Sequence, residues 1–154
     1  MKKVFLIMLL MLVFVTGCDN KEEEDKNEYL DMKSKLLEQT KFSLADDLNL
    51  DIVVNVDRET EEKINYEVIL SNPKEDMKNI KAIVVHNYYT EDKFLTIGVF
   101  DKTKDLLRGS GEEIVLKDSI DTTNDIEKLE LELKIMIKYT NDKDEKKTIY
   151  YKTT

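Results

Sequence analysis

From Leu50 onward apolar residues fall at every second position, the period of a strand with one face buried. Leu50, Ile52, Val54 and Val56 share one face, with Asp51, Asn55 and Asp57 opposite. Ile64, Tyr66, Val68 and Leu70 repeat the pattern, and Asn72-Pro73 ends it because proline lacks a ladder donor. Ile80 to Tyr89 is apolar on both faces, which predicts a central strand. Phe94 to Phe100 predicts a fourth strand, Leu106 to Gly111 a turn, and Glu113 to Lys117 a fifth strand. Leu129, Leu131, Leu133, Ile135, Ile137 and Tyr139 alternate with Glu130, Glu132, Lys134 and Lys138, which are expected to face water. Asn141 to Glu145 turns the chain, and Thr148 to Lys152 returns as the last strand of a hairpin. About seven short strands joined by turns predict an all-β antiparallel sandwich over residues 48–154.

Ahead of the strands the period changes. Tyr29, Met32, Leu36 and Leu37 fall on one helical face, and Asn27 is placed to cap it. A short helix is expected near Glu28 to Gln39, within a lead-in of residues 28–47, its apolar face covering an end of the domain. A membrane-surface helix carries more Lys and Arg and larger apolar residues. Asp19 to Asn27 holds no apolar residue. Such a stretch buries too little surface to offset the entropy of ordering, so residues 18–27 are expected to be a disordered acidic tether. Contiguous Glu22, Glu23, Glu24 and Asp25 read as solvated linker rather than a cation site, since calcium needs ligands fixed around a turn.

The first seventeen residues follow other rules. Met1-Lys2-Lys3 is basic, Val4 to Val15 is unbroken apolar sequence, and Thr16-Gly17 are small. This is the layout of a secretory leader, too short to span a bilayer as a helix. Val15-Thr16-Gly17-Cys18 resembles the lipobox of bacterial lipoproteins. The resemblance implies that Cys18 takes a diacylglyceryl thioether and that a signal peptidase cuts between Gly17 and Cys18. Two acyl chains give stable anchoring where one gives marginal binding. With Asp19 next in line, it also implies residence on the outer face of the cytoplasmic membrane.

A second resemblance runs from Ile64 to Ile120. A strand closing on Ser71-Asn72, the lead-in Asp76-Met77-Lys78-Asn79-Ile80 and the turn Leu107-Arg108-Gly109 resemble bacterial extracellular immunoglobulin-like domains. It implies that fold and carries no functional residues.

Charge narrows the partners. The chain has 24 basic and 33 acidic residues, a net of −9. Loss of Lys2 and Lys3 with the leader leaves the remainder more acidic still. Nucleic acid is not an expected partner, because phosphate contacts need clustered Lys and Arg. With one cysteine in the chain and that one in the lipobox, the domain must hold by its core alone.

No catalytic set assembles from the remaining residues. His86 is the single histidine, expected at the core or its rim. A triad would need Ser110 and Asp92 beside it, and nothing local puts them there. Gly109-Ser110-Gly111 lacks the spacing of a nucleophile elbow. The acidic turns Asp121 to Asp125 and Asn141 to Glu145 lack the glycine of a calcium loop, and turn chemistry accounts for them. No cofactor or metal is expected. Tyr88 and Tyr89 lead into a charged loop ending at Phe94, and adjacent strand residues point to opposite faces. Tyr88, Tyr89 and Phe94 are therefore the candidate contacts for a protein partner, although such tyrosines, like Tyr150 and Tyr151, also seal sandwich ends with wet hydroxyls. The expected function is a lipid-anchored, non-enzymatic binding or accessory module at the cell envelope. Alternatives are a protease-inhibitor-like module presenting the Tyr88 to Phe94 loop, and an envelope enzyme or ligand-binding protein without a recognisable motif.

The anchor is directly testable. Membrane-extracted protein should have the intact mass of residues 18–154 plus a diacylglyceryl group, and an unmodified soluble chain from wild-type cells would contradict the lipobox reading.

Overall fold

A computed structural model describes residues 17–60, 63–88, 93–121 and 130–153. Helix α1 (Gly17–Glu38) and a single 3-10 turn (Ala45–Asp47) precede eight strands. These are β1 (Asp51–Thr60), β2 (Lys63–Ser71), β3 (Met77–His86), β4 (Thr96–Ile97), β5 (Lys104–Leu106), β6 (Ile114–Asp121), β7 (Leu133–Thr140) and β8 (Lys146–Lys152). One sheet has the order β1-β2-β6. The other has the order β4-β3-β7-β8, with β5 also on β3. Every pairing is antiparallel. The first, second and sixth strands against the third, seventh and eighth is the immunoglobulin-like Greek-key arrangement. Leu50, Val68, Leu70, Val84, Ile135 and Ile137 are among the residues that fill the space between the sheets.

The strand boundaries differ from expectation where glycine and asparagine bend the chain. The fourth strand is not Phe94 to Phe100 but two residues, Thr96–Ile97. Gly98 follows with a φ of 72°. A Cβ there would lie 2.4 Å from the Ile80 carbonyl oxygen, so only glycine fits this close approach. Its N–H donates to Asp101 Oδ1 at 2.5 Å, which turns the chain away. β5 went unseen because three residues are too few to show a period. Leu106 belongs to this strand, fully buried, and not to the turn after it. β6 runs on to Asp121 because Ile120 pairs with Ile64 across the sheet. Leu129 lies outside the described residues, and β7 begins at Leu133.

The helix departs most. It runs Gly17–Glu38, through the stretch expected to be a disordered tether, and Asn27 lies inside it rather than capping it. Lys and Glu are good helix formers, and lengthening a helix already held in place needs no new nucleus. It lies on the outer face of the second sheet rather than over an end of the domain. Tyr29, Met32 and Leu36 are buried there with Ile83 and Val85 of β3, Met136 of β7 and Val99. Leu37, expected on the same face, is 50% exposed. Glu28 pairs with Lys81 at 2.6 Å and Asp31 with Lys138 at 3.5 Å. The Tyr29 hydroxyl accepts the Phe94 N–H at 3.0 Å. The molecule is thus three layers: helix, sheet, sheet. After the helix, Ser43 donates its N–H to the Tyr150 carbonyl at 2.8 Å and covers part of the β8 edge.

This docking explains why β3 reads apolar on both faces. Ala82 and Val84 face the sandwich, and Ile83 and Val85 face the helix. Met136 sits between Lys134 and Lys138 on the face of β7 expected to be wet, and it is 1% exposed.

Met136→Ala should therefore cost about 2–4 kcal/mol, the range for truncating a buried methionine, while Leu37→Ala should cost under about 0.5 kcal/mol as an exposed substitution. Urea unfolding of both variants decides it. Equal, small effects would mean that the helix does not cover this face.

Candidate functional site

Of the residues singled out from the sequence, the described ones do not form an exposed patch. Tyr88 is 6% exposed and belongs to the sandwich core. It is a structural residue, and this corrects its assignment as a contact. Tyr89 lies outside the described residues, as does Asp92. Phe94 is half-buried at the edge of the helix-covered cluster, with Lys33 Nζ 5.0 Å from its ring centroid. Tyr150 packs toward the helix and Tyr151 toward the sandwich core. These aromatics seal the fold, because consecutive strand residues serve its two apolar layers in turn.

His86 sits among them. Phe94, Tyr66 and Tyr88 meet its ring edge-on at centroid distances of 5.0, 6.2 and 6.4 Å. Its Nδ1 lies 3.1 Å from the Tyr88 carbonyl oxygen. A carbonyl only accepts, so Nδ1 carries the proton in that bond. Burial holds the imidazole below its ordinary pKa, against smaller upward pulls from the Tyr88 carbonyl and the Asp118 charge. Among the described residues the buried Tyr66 hydroxyl has no hydrogen-bond partner. Burial first, and the Asp118 carboxylate second, keep it protonated far into alkali. Ser110 Oγ accepts the Glu112 N–H at 3.1 Å and is part of its turn.

The turn Asn141 to Glu145 is organised by Asn141. Its side-chain oxygen accepts the N–H groups of Lys143 and Glu145 at 3.0 and 2.9 Å. Its amide donates to Glu75 and Glu145 at 3.3 and 3.1 Å. Glu75 also accepts Tyr139 Oη–H at 2.7 Å, and Tyr139 is pushed up to about 12, by burial above all. Glu145 is occupied by Lys147 at 2.9 Å. These acids are structural ties between the hairpin and the β2–β3 connection. Among the described residues no three metal-type side chains converge. The acidic turn Asp121 to Asp125 lies largely outside the described residues.

Cys18 stands in the first turn of α1, directly after Gly17. Two further features are open to ligands. A cleft of about 770 Å³ lies between Phe42–Ala45 and the ends of β7 and β8. Leu131 and Tyr151 line it, and the Lys152–Glu132 ion pair, at 2.7 Å, stands beside them. Asn87 closes on the Glu130 carbonyl and the Glu132 N–H at 2.9 and 3.0 Å, so its amide is already satisfied.

The second feature is the outer face of the β1-β2-β6 sheet. Val53, Ile69 and Val115 stand side by side in register across the three strands. Val53 and Val115 are 46% and 38% exposed. The next row on that face is Asn55, Glu67 and Lys117, joined by contacts of 3.2 and 2.7 Å. The second sheet has the helix on its outer face, while this sheet has no described element on its own. Sequence reasoning passed over these residues, although each is half of an apolar doublet: Ile52-Val53, Ile69-Leu70 and Ile114-Val115. A half-buried strand does not need the second member.

No family model matches the chain, and no curated protein does. Among solved structures it is similar to the sporulation control protein Spo0M from Bacillus subtilis, with 15% identity over 68% of this chain and 48% of that one, at a TM-score of 0.31. The chain spans about half of that protein's length, and the likeness carries no argument about function.

The histidine gives a pH prediction with a definite sign. Its folded pKa lies below the ordinary 6.5, so the unfolded chain takes up its proton first as pH falls. Stability should drop as pH falls below 6.5, toward the lower folded value. Asp31, Glu67 and Glu145, held down chiefly by lysine partners, add losses only in the more acid carboxylate range. Urea midpoints across pH 5 to 7.5 should slope for the wild type and be flatter for His86→Asn. An unchanged slope in the variant would contradict burial as the cause.

Proposed function

We propose that this chain is a lipoprotein held by Cys18 on the outer face of the cytoplasmic membrane, and that it is a non-enzymatic module binding a protein partner there. The lipobox Val15-Thr16-Gly17-Cys18 supports the address. α1 begins at Gly17, so a cut before Cys18 leaves the lipidated residue at the start of the helix. At a rise of about 1.5 Å per residue, Tyr29, the first residue buried on the sheet, lies only about 16 Å along the helix from Cys18. The module then stands close to the bilayer at a set distance, in place of a loose tether. Its net charge, more negative than the −9 of the full chain once Lys2 and Lys3 are removed, disfavours flat contact with anionic lipid.

The observation that carries the binding reading is the open face of the three-stranded sheet. Val53, Ile69 and Val115 form an apolar row that water solvates in the free protein. β1 presents ten residues of strand at the adjoining sheet edge. A partner that adds a strand to β1 and covers this row gains backbone hydrogen bonds and apolar burial together. Asp51 and Asp57 on that edge favour a partner strand bearing Lys or Arg.

A photo-crosslinking residue at Val53 should capture a protein in intact cells. Val53→Lys with Val115→Lys should abolish the capture made from a second probe at Asn55, with membrane attachment unchanged. Equal capture from wild type and variant would place the interface elsewhere. Turnover of a small molecule by the pure protein, with no partner captured, would refute the module reading.

A further inference from the structure

On its outer face the second sheet carries a small grid of like charges. In register across β3, β7 and β8, Lys78 pairs with Thr140 and Thr140 with Lys146. In the next row Lys81 pairs with Lys138 and Lys138 with Thr148. Residues 78 and 81 are three apart, so a regular strand would put them on opposite faces. A bulge corrects the phase: two residues, Asn79 and Ile80, stand against Tyr139 alone. Asn79 takes a φ of 53°, and its N–H donates to Asp105 Oδ1 at 2.8 Å. Ile80 stays fully buried while Lys78 and Lys81 share the outer face. Bulges of this kind re-aim side chains beside functional sites.

The two rows are not electrically alike. The helix supplies Glu28 to Lys81 and Asp31 to Lys138. Lys78 and Lys146 have no ion pair among the described residues. A groove of about 400 Å³ runs past Lys146, lined also by Lys81, Lys138, Lys147, Thr140, Thr148 and the Glu28 carboxylate that pairs with Lys81; Lys78 stands just beyond it, in register with Thr140. The like charges are held side by side by the ladder, in a chain whose net charge is −9.

We propose that this groove binds a linear phosphate-bearing polymer. Ammonium groups act as point charges and threonine hydroxyls as donors, which suits the oxygens of a phosphate run. Neither arginine of the chain, Arg58 or Arg108, lines the groove, so the bidentate fork that reads planar carboxylates is missing. A bilayer is the poorer occupant, because a broad anionic surface meets the acidic remainder of the protein. A thin chain meets only the groove, since screening confines the field to about 8–10 Å at ordinary salt. The site is independent of the protein partner proposed above, which uses the opposite sheet.

The test is titration of purified full-length protein, in uncharged detergent at low salt, with fluorescently labelled inorganic polyphosphate. Binding should saturate. Lys78→Ser with Lys146→Ser should weaken it about tenfold. Glu28→Gln should tighten it by freeing Lys81. Lys102→Ser with Lys143→Ser, an equal loss of charge away from the grid, should change it less than threefold. Thermal melts check folding, and Lys146→Glu on β8 alone is the reserve variant should the double one unfold. Equal weakening by both double variants, absence of saturable binding, or equally tight and grid-dependent binding to phosphatidylglycerol vesicles would each overturn the proposal.

Discussion

The docking of α1 on the outer face of the second sheet is the contact on which the remaining architecture depends. Tyr29, Met32 and Leu36 turn β3 and β7 from half-exposed strands into strands buried on both faces. Without that cover, Ile83, Val85 and Met136 would meet water, at a cost of roughly 1.5–3 kcal/mol for each large side chain. The ion pairs of Glu28 and Asp31 border this apolar stripe and are partly exposed. They set register along the sheet more than they add stability.

The same contact divides the molecule into unlike halves. Among the described residues the outer face of the covered sheet is open around the margins of the helix, where the lysine rows and the cleft beside Phe42 lie. The uncovered sheet keeps a whole face and the β1 edge open among the described residues. A helix that starts at Gly17 and ends on β3 and β7 also links any anchor at Cys18 to the orientation of both faces. A flexible tether would let the domain tumble, whereas under the proposed anchor a docked helix would fix which surface is presented outward.

Much of the sandwich was legible because period-two burial is a strong constraint. Ile64 to Leu70 and Leu133 to Tyr139 had to be strands. β4 and β5 were not legible, since Gly98 and Asp101 break the ladder within a few residues and no period survives. The reach of the helix was also hidden: Asp19 to Asn27 has no apolar face, and tertiary anchoring of its C-terminal half decides the matter. Among the candidate contacts, Tyr88 lies in the core. Tyr88 was chosen as an aromatic beside a charged loop, but sequence alone cannot tell a seal from an anchor. The useful signals were smaller. Met136 on a face of lysines marked the helix footprint, and the second members of three apolar doublets marked the open sheet.

The central claim is that the open sheet faces a partner outside the membrane while the exposed side of the helix stays free. Thiol labelling with a membrane-impermeant maleimide tests it directly, using single cysteines at Val53, Val115 and Leu37 in an otherwise wild-type chain, where the proposed thioether would block Cys18. In purified protein all three should react. In intact wall-less cells Leu37→Cys should still react, while Val53→Cys and Val115→Cys should be protected. Unprotected Val53→Cys and Val115→Cys in cells would contradict the partner-binding face, and failure of Leu37→Cys to react there would contradict the location.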